Sequence, residues 1–162
     1  MDLTTFSEAA LLQIHADVIE ELKQRGVVRT SNNPIGDYTE WLICDRLELA
    51  LQTSSKSSFD GIDAEGLRYQ IKGRRIESSA GYAQLSVIRN LEQRGFDFLI
   101  AVIYNPDYSI RFAAKIPHVA VAAIATFRTH VNGHIPILRE SVFDLPGVVD
   151  ITALLTSRTS SQ

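Results

Sequence analysis

The chain has 162 residues, 45% of them hydrophobic and 22% charged, which suits one globular domain with a sizeable core and excludes a disordered chain. A net charge of -3 excludes the global basic signature of a passive nucleic-acid coat, but leaves room for positive charge gathered in one cleft. Cys44 is the only cysteine, so an intramolecular disulfide and a cysteine-rich zinc site are both ruled out.

From the N-terminus, Phe6 to Arg25 reads as a helix, with Leu11, Ile14, Val18 and Leu22 at helical spacing and Gly26 as its stop. Acidic residues stand where a secretory signal would carry basic ones, and the apolar runs FLIAVI and VAVAAIA are too short to span a bilayer. A soluble cytoplasmic protein with no membrane partner is expected. The stretch SNNPIGDYTEWLICDRLELALQ reads as a second helix, capped by Asn33 with Pro34 at its first position, and Trp41, Leu42, Cys44, Leu47 and Leu51 as its apolar surface.

After the serine-rich connection SSKSS, Phe59 to Ile62 and Leu67 to Lys72 read as two strands around the turn DAEG. Ala83 to Ile88 suits a third strand or a helix. FDFLIAVIYN is the candidate central strand, NPDYS a hairpin turn and IRFAAKI the strand that follows. HVAVAAIATF then reads as a short helix, NGH as a turn, IPILRESVF as an irregular or edge strand because of Pro136, and DITALL as a final helical turn capped by Asp150. The expected fold is α/β (mixed α+β): a four- to five-stranded mixed sheet flanked by helices, one domain over residues 1–155 and a flexible tail over 156–162.

One group of residues carries chemistry. Gln70 and Lys72, two apart on a strand, share a face, while Ile71 between them packs the other way. Phosphodiester hydrolysis needs oxygen ligands around a metal and a cation near the transferring phosphate. Asp60, the Gln70 amide and the Ile71 carbonyl would supply the oxygens for Mg²⁺, or Mn²⁺ in its place, and Lys72 the cation; Glu40 on the second helix would hold a metal-bound water or a second metal, against the plainer reading of a solvated carboxylate that favours the helix N-terminus. Strand register decides the matter. If Asp63 closes the hairpin opposite Gly66, Asp60 faces Tyr69 and lands on the wrong side; a three-residue loop or a bulge, which Gly61 or Gly66 can supply, brings it round.

Asp60 followed by Gln70-Ile71-Lys72, with Glu40 on a preceding helix, resembles the core of the PD-(D/E)XK, or restriction-endonuclease-like, nucleases, in the Q-x-K variant seen in Mrr-like enzymes. The stretches NNPIGDYTEW, FDFLIAVIYNPDYSIRFAAKIPH, HVNGH and PGVVDIT are similar to an uncharacterised bacterial domain family assigned the same fold, a likeness running from Asn32 to Leu155. The resemblance implies a Mg²⁺-dependent nuclease acting on DNA. In it Asp60 is the acidic ligand, Gln70 replaces the usual Glu or Asp, Lys72 is the catalytic lysine and Glu40 the helix carboxylate. No proline precedes Asp60 directly, which departs from the commoner motif.

Around this group Arg68, Arg74, Arg75 and Lys56 are candidates for holding DNA phosphates, against the plainer reading of a solvated charged strand. His130 and His134 flank a turn rather than a helix, no nucleophile elbow accompanies any Ser-His-Asp set, and no glycine loop cradles a nucleotide cofactor. Tyr38 and Trp41 read as core anchors, while Tyr82, Tyr104 and Tyr108 lie nearer loops where a base could stack. A chain this small is expected to act as a homodimer or with a partner if both strands are to be cut. The alternative is a non-catalytic DNA-binding or structural module on the same fold.

Overall fold

Ser7 starts the first helix by accepting the Ala10 N–H at 3.3 Å, and Gly26, at φ +70°, lets the chain turn away at its end. The computed structural model describes residues 1–52, 58–77 and 79–157. Its helices are α1 (Glu8–Gln24), α2 (Ile35–Arg46), α3 (His118–Ile124) and α4 (Thr152–Thr156). Its strands are β1 (Ala50–Leu51), β2 (Gly61–Ile62), β3 (Arg68–Arg75), β4 (Ala83–Gln84), β5 (Phe98–Tyr104), β6 (Ile110–Pro117), β7 (Ala125–Arg128), β8 (Gly133–Leu138) and β9 (Val149–Asp150).

This is a mixed α/β fold. A six-stranded sheet runs in the order β1-β2-β3-β5-β6-β9, and a three-stranded sheet in the order β4-β8-β7. Within the larger sheet β3 and β5 are parallel and the other pairs antiparallel. The strand expected to be central is so: Leu99 through Tyr104 are fully buried, and their alternation feeds two cores. Leu99, Ala101 and Ile103 pack with Phe112, Ala114 and Leu138 on one face. Ile100, Val102 and Tyr104 pack with Ile43, Tyr69 and Ile71 on the other, beneath α2.

Asn33 caps α2 as expected, its Oδ1 accepting the Ile35 N–H at 3.1 Å. That helix ends sooner than its apolar pattern implies. The Leu49 N–H bonds the Cys44 carbonyl, Glu48 takes φ +54°, and the reversed chain pairs as β1 with β2. Trp41 and Leu51, expected in the apolar surface, are exposed; Trp41 stacks instead on Tyr38 at 6.0 Å.

The second half departs further from periodicity. The helix expected over 118–127 stops at Ile124, and Ala125–Arg128 extends to pair with β8. β8 is the middle strand of its sheet, not an edge, in spite of Pro136. Its missing N–H is tolerated because β4 pairs only with Ile137 and Leu138, so the gap falls where that pairing ends. Ala83 to Ile88 contributes two residues of strand and one isolated bridge to His134. Asp150 caps α4 through Thr152 N–H at 2.8 Å. Of the tail expected from residue 156, positions 158–162 lie outside the described residues. No helix among the described residues is long and apolar enough to cross a membrane.

Candidate functional site

The hairpin between β2 and β3 closes with a three-residue loop. Asp63 and Leu67 face each other, with Asp63 N–H to Leu67 carbonyl at 3.1 Å, and Ala64, Glu65 and Gly66 form the tip. Gly66 supplies the left-handed residue at φ +83° that such a loop requires. The Asp63 carboxylate ties the hairpin from inside, accepting the Leu67 N–H at 2.8 Å and the Tyr69 hydroxyl at 2.8 Å.

This loop sets Gly61 opposite Tyr69. The Tyr69 carbonyl nevertheless accepts the Asp60 N–H, at 2.7 Å, so two residues of one strand meet one of the other, which is a β-bulge. Both devices named in the sequence are therefore in use. The bulge swings the Asp60 carboxylate onto the edge of β3, where Oδ2 accepts the Ile71 N–H at 2.6 Å and the side-chain amide of Gln70. In a β-strand the N–H and C=O of one residue point the same way, so the Ile71 carbonyl is directed to this edge as well. β2 pairs with β3 only at Arg68 and Tyr69, which leaves the edge beyond them to Asp60.

Glu40 comes from the other side. Helix α2 lies directly on β3 because Gly73 has no side chain: a Cβ there would overlap Thr39 Oγ1 and come within 3.2 Å of the Ile35 carbonyl. Thr39, fully buried, anchors this crossing by donating to Ile35 O at 2.5 Å and meeting the Tyr104 hydroxyl at 3.1 Å. The next residue, Glu40, is half-buried, and Arg29 donates to its Oε2 at 2.6 Å. Burial pushes the Glu40 carboxyl above its ordinary range, and the nearby Asp60 charge pushes it further, in excess of what Arg29 restores. Burial likewise raises the neighbouring Cys44 thiol to about 11, with Glu40 and Asp60 adding to it, which favours the protonated thiol over the thiolate.

Gln70, Lys72 and Arg74 alternate with Tyr69, Ile71 and Gly73 as expected, the latter set facing α2. Lys72 is half-buried and makes no hydrogen bond or ion pair among the described residues. Arg74 is exposed and equally without a partner there. The other candidate cations are engaged. Arg68 grips Asp97 through Nε at 3.1 Å and Nη2 at 3.1 Å and bonds the Arg94 carbonyl, which joins β3 to the start of β5. Arg75 lies 4.6 Å over the Tyr108 ring. Lys56 lies outside the described residues.

Asp60 thus meets Gln70 and the Ile71 N–H at the edge of β3, and Glu40 on α2 lies near enough to feel the Asp60 charge, while Gln70 and Lys72 share the face of β3 turned away from α2. Sequence reasoning had no hold on Arg29 as the partner of Glu40, or on Asp97 as that of Arg68, because both pairs are long-range. Gly73 carries a local signal, since a glycine that interrupts an otherwise strand-forming run allows a close backbone approach or marks a bulge. Among the described residues no three His, Cys, Asp or Glu side chains gather as a metal-binding group; the site offers two carboxylates, an amide and a carbonyl. Compared with known proteins, the chain matches no family model and no curated sequence.

Proposed function

We propose that this protein hydrolyses DNA phosphodiester bonds with Mg²⁺, or Mn²⁺ in its place, on a restriction-endonuclease-like core. The observation that carries the proposal is the Asp60 carboxylate seated on Gln70 and the Ile71 N–H at the edge of β3, with Lys72 on the same strand unpaired among the described residues. The mixed sheet, with its antiparallel hairpin bearing acid and lysine and a helix across one face, supports the core assignment.

The residues present suit a hard divalent cation. Every candidate donor, from Asp60, Glu40, Gln70 and Ile71, is an oxygen, and the Glu40 carboxyl, raised by burial first and by the Asp60 charge second, is a group whose ionised form a cation would favour. Such an ion, when bound, activates water and neutralises charge on the phosphoryl group. Asp60 is held rigid for that task by two donors, and Gln70 can turn its amide to offer oxygen in place of nitrogen. Lys72, fixed at its base by the buried Ile71, meets a phosphate oxygen and stabilises the charge that builds there. Arg74, one step further on the same face, holds the next part of the backbone.

Incubation of supercoiled plasmid with the protein tests this. Nicking or linearisation in Mg²⁺ or Mn²⁺, abolished by EDTA and lost in a folded Lys72→Ala variant, is the expected result. Absence of cutting in both metals, or undiminished cutting by Lys72→Ala, would overturn it.

One observation favours the second reading, a non-catalytic binding module: Arg29 satisfies Glu40 and Gln70 satisfies Asp60 within the protein itself. DNA binding that ignores divalent metal, with no cleavage product, would select that reading.

A further inference from the structure

The even-numbered face of β3 does not stop at Arg74. The Ile76 N–H bonds the Tyr104 carbonyl at 3.0 Å, which extends the ladder past Arg75 and keeps Ile76 on the face of Gln70, Lys72 and Arg74. Ile76 packs against the core on that side of the sheet and lines a cavity of about 270 Å³. Four residues of strand separate it from Lys72, about 13 Å.

The cavity has a floor and a rim of different chemistry. Ile76, Phe112 and Leu138 make an apolar floor, while Tyr82, Arg139 and Glu140 stand around it. Tyr82 is 53% exposed, a large share for an aromatic ring, and the Arg139 guanidinium lies 5.5 Å over that ring. Arg111, tied to the Ala80 carbonyl at 3.1 Å, adds a second cation, with the Glu140 carboxylate 3.6 Å from its Nη2. Gly81 leaves the approach beside Tyr82 open, since a Cβ there would meet nothing within 4 Å.

A second exposed arginine-on-tyrosine pair stands at the same end of β3. Arg75 covers Tyr108, 38% exposed, at the tip of the β5–β6 hairpin. Tyr108 holds φ +65°, a conformation that ring-bearing side chains disfavour and that persists only where its surroundings enforce it.

We propose that this cavity receives one unpaired nucleotide of the DNA strand whose backbone runs from Lys72 along Arg74, so that the preferred substrate carries a single-stranded stretch or an extruded base. A ring with two flat sides, polar edges and an attached phosphate matches an apolar floor, an aromatic wall and adjacent guanidinium groups. The volume sits just under the roughly 300 Å³ at which drug-sized pockets begin, which is room for one base and not for a longer ligand. Glu140 can accept from an exocyclic amine, as carboxylates do from cytosine. This inference rests on the proposed function for DNA as the ligand and for the path of its backbone past Lys72 and Arg74, but not on cleavage.

The test is fluorescence anisotropy in EDTA, where nothing is cut, with a labelled single-stranded oligodeoxycytidylate of about 12 nucleotides and a blunt duplex as probes. The single strand is expected to bind more tightly. Tyr82→Ala should weaken it by about 5- to 150-fold, the loss of one base stack, and Tyr82→Phe should keep it. Both variants should melt as the parent does, because the ring is exposed. Equal single-strand affinity for Tyr82→Ala and the parent, or the same loss on the blunt duplex, would overturn the inference. The two readings separate cleanly: Tyr82-dependent binding without metal-dependent cutting sinks the nuclease alone, and cutting indifferent to Tyr82 sinks the nucleotide site alone.

Discussion

Thr39 occupies the space that a side chain on Gly73 would need. The hydroxyl of one and the bare Cα of the other set how closely α2 lies on β3, and with it the position of Glu40 over the strand that carries Lys72.

Gly73→Ala therefore puts a methyl group into the Thr39 side chain, with the Ile35 backbone behind it. Overpacking of this kind costs about 1–3 kcal/mol. Thermal or urea unfolding should show that loss, and plasmid cutting should fall by more than the loss of folded protein explains, because Glu40 is displaced.

Glu40 links charge to pH. Its folded pKa is raised, first by burial and then by Asp60, so its contribution to stability is fully present below the ordinary carboxylate value of about 4.3 and is lost as pH rises through the folded value. Metal affinity follows the opposite course, because only the ionised carboxylate is a ligand. Mn²⁺ titrations across this window should show tightening with pH in the parent and a weaker dependence in Glu40→Gln. Identical curves for the two proteins would remove Glu40 from the site.

Arg68 and Arg74 should behave differently although they share a strand face. Arg74 is exposed and has no partner among the described residues, so Arg74→Ala should weaken DNA binding evenly across sequences and lower the salt slope by about 1, with no change in melting. Arg68 is committed to Asp97, so Arg68→Ala should lose stability instead. Salt-dependent binding isotherms and melting curves of both variants decide the point.

The Arg68–Asp97 clamp also has a pH signature. Hydrogen bonds from Arg68 hold the Asp97 carboxyl below its usual range. The stability it contributes is present above about 3.9 and is lost as pH falls through the lowered folded value. Both side chains are partly exposed, so Asp97→Asn should cost about 1 kcal/mol or less at neutral pH. Its melting curve should converge on the parent's in acid. A difference that persists at low pH would point to packing rather than charge.

Gln70→Glu places a second carboxylate against Asp60 where an amide now donates to it. Without metal the variant should melt lower than the parent, since two acids at one place repel. With Mn²⁺ the order should reverse, because the added charge binds the ion. Calorimetric titration and melting with and without the ion give both halves of the answer.

Much of this was legible in the residues alone. Period-two alternation placed Gln70 and Lys72 together and Ile71 against them; the unbroken apolar run from Phe98 to Tyr104 announced the buried strand; Asn33 and Asp150 marked the starts of helices. These are local signals, carried by neighbours within a turn or a strand. The register of Asp60 was not, because loop DAEG admits two closures of nearly equal local merit, and the choice belongs to the bulge at Gly61 and the packing of Leu49 and Cys44 against it. Nor could spacing show that Ala125–Arg128 would leave the helix for a sheet, that Pro136 would sit in a middle strand, or that Arg29 would reach Glu40. Propensity and periodicity act over a few residues, whereas pairing partners come from distant parts of the chain and are selected by what they bury together.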